Sequence, residues 1–160
     1  MVAELHPGIA ILAPLVGTWA GRGTGDYPTI DAFGYLEEVT FAHVGKPFLS
    51  YTQRTRSGDG APMHAETGYL RVPTAGRAEL VLAQPSGVTE IDEGTVTTEG
   101  GALVIELVST SVGLTSTAKE VLSVARSIRV DGDELSYTVL MGAMGLPLQH
   151  HLRARLNRQS

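Results

Sequence analysis

Turn-forming residues break this chain at short intervals and leave no room for long helices between them. Gly45-Lys46-Pro47, Ser57-Gly58-Asp59-Gly60, Pro73-Thr74-Ala75-Gly76, Pro85-Ser86-Gly87 and Glu99-Gly100-Gly101 all favour turns over extended backbone. Asp131-Gly132-Asp133 lies between two good apolar runs and reads as a hairpin turn. The runs between breakers predict strands near 17–24, 35–44, 47–56, 64–73, 77–84, 87–97, 102–110, 118–130, 134–144 and 148–157. Residues 8–16 predict a short helical turn, limited by Pro14. Hairpin-length connections without intervening helices make an antiparallel meander, and about ten strands close into a barrel without exposed edges. The expected fold is all-β: a ten-stranded antiparallel up-and-down barrel with a short N-terminal helical turn, one domain over 1–160.

Alternation supports the strands. Leu135, Tyr137, Val139, Met141 and Ala143 share one face of their run. Leu103, Ile105 and Leu107 oppose Val104, Glu106 and Val108. A strand apolar on both faces suggests cover on its outer side, as a second subunit would give.

Composition excludes several functions. The 160 residues contain no cysteine, which removes disulfides, thiolate catalysis, zinc–thiolate sites and iron–sulfur clusters. That fits a reducing cytoplasm. The formal charge is −5 with no run of basic residues, against nucleic acid or an anionic membrane as partner. Met1–Pro7 carries an acid and a proline where a secretory signal needs basic and apolar stretches. No apolar run approaches the roughly 18–20 residues of a membrane helix.

His6, His43, His64, His150 and His151 are the neutral metal ligands available. None falls in a zinc-binding spacing. His150 and His151 are adjacent, so on a regular strand they point to opposite faces and cannot share an ion. A one-histidine site remains, and haem needs only one protein axial ligand plus an apolar cavity. Strand histidines are nevertheless more often surface or satisfied residues than ligands. Parity groups His150 with Leu148, Leu152, Ala154 and Leu156, and His151 with Gln149, Arg153 and Arg155. An apolar-inside rule therefore selects His150, unless a bulge resets the register. No serine lies in G-x-S-x-G. Gly21-Arg22-Gly23-Thr24-Gly25 lacks the lysine and following helix of a phosphate loop. The carboxylates of Glu37-Glu38 and Glu90-Ile91-Asp92-Glu93 read as solvated strand charges, and Arg126, Arg129 and Arg153 as surface residues.

The ordered motifs resemble the nitrobindins, small ferric-haem β-barrels shaped like fatty-acid-binding proteins and lipocalins. The resemblance spans nearly the whole chain. It runs from Gly17-Thr18-Trp19-Ala20-Gly21-Arg22-Gly23 to Leu148-Gln149-His150-His151-Leu152. Between them lie Tyr27-Pro28-Thr29-Ile30, Phe41–Pro47, Glu66–Arg71 and Thr117–Glu120. The resemblance makes His151, not His150, the proximal ligand of haem b. It places Thr29 close to the haem, and Met63, His64 and Met141 in the pocket wall. It implies a peroxynitrite isomerase that also binds nitric oxide, acts on small molecules and forms homodimers. Two other readings stand beside it: a nitric oxide sensor or haem carrier, and a fatty-acid-binding type of carrier holding an apolar ligand.

Overall fold

A computed structural model describes residues 2–160. Ten antiparallel strands follow a short 3-10 helix at Pro7–Leu15. They are β1 (Gly17–Tyr27), β2 (Ile30–Ala42), β3 (Phe48–Arg56), β4 (Pro62–Arg71), β5 (Arg77–Gln84), β6 (Val88–Glu99), β7 (Ala102–Leu114), β8 (Val121–Asp131), β9 (Glu134–Ala143) and β10 (Gln149–Arg158). Each pairs with its sequence neighbours, and β10 closes onto β1 with Trp19 opposite Arg158 and Gly25 opposite Leu152. The expected meander and closure are both present. The largest departure is at β1 and β2, which extend through the expected gap to a tight turn at Pro28-Thr29.

One end of the barrel is plugged. Ile9, Leu12 and Leu15 of the 3-10 helix are fully buried against Trp19. The Trp19 indole N–H donates to the Leu15 carbonyl at 2.9 Å, which ties plug to wall. Arg158 stacks over the indole at 4.3 Å and donates to the carbonyls of Val16 and Pro14. It thereby satisfies backbone acceptors that a short helix end leaves open.

Three glycines of β1 face inward. A Cβ on Gly23 would lie 2.2 Å from the Tyr35 ring, and one on Gly25 would lie 2.4 Å from Phe33. The sequence pattern that superficially suggests a phosphate loop is therefore a trough in which two aromatic rings cross the wall. Val104, on the outer face of β7, is buried within the chain, whereas Val108 is exposed. Gly23→Ala should push Tyr35 off β1 and destabilise the fold by about 1–3 kcal/mol. Urea unfolding of that variant against the unaltered chain measures the loss.

Candidate functional site

The other end of the barrel is an open mouth leading to a cavity of about 350 Å3, within the range of small-molecule sites. Strand ladders slip by one residue at this end. Leu140 faces His150 and Val139 faces Leu152, so His151 is an extra residue in β10. Thr55 faces His64 and Arg56 faces Pro62, so Met63 is an extra residue in β4. Such bulges concentrate at barrel rims and re-aim side chains. Each turns a consecutive pair toward the cavity: His151 with Leu152, and Met63 with His64. His150 instead lines an outer groove with Asp26 and Arg153. Parity along β10 thus holds from Leu152 onward and fails at His150, because the bulge resets the register.

The His151 ring is held in one form. Its Nδ1 lies 3.0 Å from the Asp26 carbonyl, which can only accept, so Nδ1 carries the proton and Nε2 keeps a free lone pair. Tyr27 packs edge-on against the ring at 5.6 Å. Its hydroxyl accepts from the Ala143 N–H at 2.9 Å and donates to the Met141 carbonyl at 3.1 Å, fixing the mouth of β9 to β1. Burial lowers the imidazole pKa and outweighs the raising effect of the Asp26 hydrogen bond. His151 is therefore neutral at physiological pH, as a metal ligand must be.

Around it the mouth is apolar: Phe33, Val121, Val124, Val139, Met141 and Leu152 line the cavity, with Met63 and His64 opposite. His64 Nε2 approaches Glu66 at 3.3 Å. Thr29 stands in the exposed β1–β2 turn and is not among the cavity-lining residues.

Deeper lies a polar ring that the sequence reading assigned to solvent. Arg126 is buried, with Nη1 2.8 Å from Glu66 and Nη2 2.8 Å from Glu90. Its Nε is 3.4 Å from Asp92. Gln84 Nε2 donates to Glu66 at 3.1 Å and Glu90 at 2.8 Å, and Tyr51 donates to Glu66 at 2.7 Å. On the facing wall Glu37 accepts from Tyr137 at 2.5 Å and from Gln53 at 3.0 Å, with Tyr35 2.7 Å from Tyr137. The reading of Glu37, Glu90 and Asp92 as solvated charges, and of Arg126 as a surface residue, is therefore incorrect. Parity carried the signal: Glu37 alternates with Phe33, Tyr35, Val39 and Phe41, and Arg126 with Val124, Ile128 and Val130, all inward positions.

Burial pushes Glu37 up to about 7, against the lowering effect of its hydrogen bonds. Burial would raise Glu66 too, but Arg126 and His64 outweigh it and hold that carboxyl well below its usual range. Asp92 is raised by burial and by adjacent Glu90.

The residues fit a haem: a neutral imidazole with a free Nε2, seated in an apolar mouth. Comparison with known proteins agrees. Residues 9–158 match the family model of the THAP4-like, heme-binding beta-barrel domain. The chain belongs to this family. It is 64% identical over 161 residues to peroxynitrite isomerase 2 of Mycobacterium marinum, covering all of both chains. It is 63% identical to peroxynitrite isomerase 1 of Mycolicibacterium paratuberculosis, over 99% of each chain. The crystal structure of Rv2717c from M. tuberculosis superposes with a TM-score of 0.96 at 59% identity, covering 98% of this chain and all of that one.

The raised Glu37 pKa has a consequence for stability. The folded chain retains a proton that the unfolded chain releases between about 4.5 and 7. This contribution is complete below about 4.5 and is lost as pH rises through about 7. Glu37→Gln, which cannot titrate, should flatten that part of the stability–pH curve. Urea midpoints measured across the interval check it.

Proposed function

We propose that this chain is a peroxynitrite isomerase that carries haem b at the barrel mouth, with His151 Nε2 as the iron ligand. The observation that carries the reading is the bulge at His151, which turns a neutral imidazole with its Nδ1 already tied to Asp26 into an apolar mouth. A bound ferric haem supplies a Lewis acid at which peroxynitrite rearranges to nitrate with no net redox change, so no electron donor is required. The protein's part is to fix the ligand tautomer through Asp26, to exclude water with Phe33, Val124, Val139, Met141 and Leu152, and to present Met63 and His64 across the opening. Glu66 holds the His64 ring at the rim. Thr29 acts, on this reading, from the outer edge of the mouth.

Nitric oxide binding at the same iron belongs to the proposal. A non-catalytic nitric oxide sensor uses the same residues, and turnover of peroxynitrite separates the two. The fatty-acid carrier is disfavoured by Arg126, whose guanidinium is already engaged by Glu66 and Glu90 instead of awaiting a ligand carboxylate. We further propose a cytoplasmic homodimer that packs through the exposed outer row Tyr69, Val81 and Ile91, which are cross-strand neighbours. Among the described residues no helix is long and apolar enough to cross a membrane.

His151→Ala should abolish the saturable Soret band obtained on titration with ferric haem, while the barrel stays folded by circular dichroism. His150→Ala should leave that band unchanged, because its ring lies in the outer groove. The opposite pair of results would return the ligand to His150. Thr29→Ala should keep the band and alter only the nitric oxide off-rate, measured by stopped flow.

A further inference from the structure

Across the cavity mouth from His151 stands a second imidazole, His64, whose two nitrogens can also be told apart. Its Nε2 lies 3.3 Å from Glu66 Oε2. The same carboxyl receives Tyr51 and Arg126 Nη1 on Oε1 at 2.7 and 2.8 Å. It receives Gln84 and Arg126 Nη2 on Oε2 at 3.1 and 3.3 Å. With donors on both oxygens neither has room to carry a hydrogen, and a carboxylate only accepts. His64 Nε2 therefore holds the ring proton, and Nδ1 keeps the lone pair. Among the described residues Nδ1 bonds to no protein group, and it is open rather than buried. The His64 side chain keeps 36% of its surface exposed, against 5% for Glu66 beneath it. His64 lines the same cavity as His151, and a charge on its ring is felt there. The other charged or titratable groups packed around it are Arg126 on β8, Glu90 and Asp92 on β6 and Tyr51 on β3, all engaged with Glu66 or with Arg126.

We propose that His64 is the acid–base residue of the peroxynitrite chemistry, and that Glu66 and Arg126 are its positioning pair. Peroxynitrous acid, the conjugate acid of peroxynitrite, gives its proton to the free Nδ1. One O–H bond breaks, one N–H bond forms, and the anion left behind is the form that a Lewis acid takes up. The imidazolium then has two N–H groups: Nε2–H stays on Glu66, and Nδ1–H faces the anion. Glu66 supplies the counter-charge at 3.3 Å. Burial opposes ionisation of Glu66, and Arg126 together with His64 overcomes it. Nitrate has the same atoms and the same number of electrons as peroxynitrite, so the proton is all that His64 has to pass on. Nitrate is the weaker base, and Nδ1 returns its proton to water as the product leaves. The proposal rests on haem at the mouth, since the freed anion needs a Lewis acid.

Proton counting during azide binding is the test, because hydrazoic acid also delivers one anion and one proton. Calorimetry of the haem-loaded ferric chain at about pH 7, in buffers of different ionisation enthalpy, reads the uptake. The unaltered chain should take up protons as azide binds. His64→Gln, which can donate an N–H but cannot take a proton, should lose that uptake. His64→Leu should bind azide at least about tenfold more weakly. Uptake that persists in His64→Gln, or an unchanged azide affinity in His64→Leu, would overturn the acid–base role. The positioning pair is read on the haem-free chain from the nitrogen shifts of the His64 ring. The unaltered chain should hold the Nε2–H tautomer. In Glu66→Gln the carbonyl keeps the shorter contacts of the Oε1 side, so the amide N–H2 faces the ring and turns it to Nδ1–H. An Nδ1–H ring in the unaltered chain, or an unchanged tautomer in a folded Glu66→Gln, would overturn the positioning role. Absence of a Soret band from the unaltered chain would remove the haem reading itself, whereas a Soret band without proton uptake would remove only the role of His64.

Discussion

Pairing of β10 with β1 turns an open meander into a vessel with an inside. Seven consecutive residue pairs, from Trp19–Arg158 to Gly25–Leu152, form that seam. At the base it brings Arg158 over Trp19 and against the plug carbonyls. At the mouth it brings His151 within hydrogen-bonding distance of the Asp26 carbonyl. The candidate ligand and its anchor are 125 residues apart in sequence and adjacent only because the sheet closes. One contact pattern thus serves both stability and chemistry, with regular pairing through most of the seam and irregular ladders at its open end.

Along its axis the interior has three zones. The plugged base is apolar, the middle ring is charged and hydrogen-bonded, and the mouth is apolar again. Burying Arg126 with Glu66, Glu90 and Asp92 carries a desolvation cost that hydrophobic side chains would avoid. Such a network is tolerable only when its members satisfy one another, and the engagement of Arg126, Gln84, Tyr51, Gln53 and Tyr137 meets that condition on the donor side. Gln53 Oε1 meets no donor, and burial and the adjacent Glu90 hold the Asp92 carboxyl toward its protonated form.

Much of the barrel was legible in the sequence, because turns are local chemistry. Gly132 takes the positive φ that the hairpin at Asp131-Gly132-Asp133 requires, and the strands on either side lie where the alternation puts them. The interior was less legible. The charges of Glu37 and Arg126 suggested solvent, although their parity with Val39 and Val124 pointed inward; partners supplied by distant strands decide the matter. The choice between His150 and His151 was beyond parity altogether. One extra residue in β10 reverses the faces, and nothing in Gln149-His150-His151-Leu152 marks where a bulge falls. The resemblance to nitrobindins names His151, and the ladder turns His151 rather than His150 toward the cavity. Thr29 lies on the exposed β1–β2 turn, outside the residues that line the cavity.

The central claim is that closure and a bulge together present a neutral His151 imidazole with a free Nε2 to the barrel mouth. Long-range proton–nitrogen correlation on the histidine-labelled, haem-free chain reads tautomer and charge directly. The account predicts the Nδ1–H tautomer for His151, with burial lowering its pKa from the ordinary histidine value, and its Nε2 signal lost on addition of ferric haem while that of His150 persists. An Nε2–H tautomer, or loss of the His150 signal in its place, would contradict it.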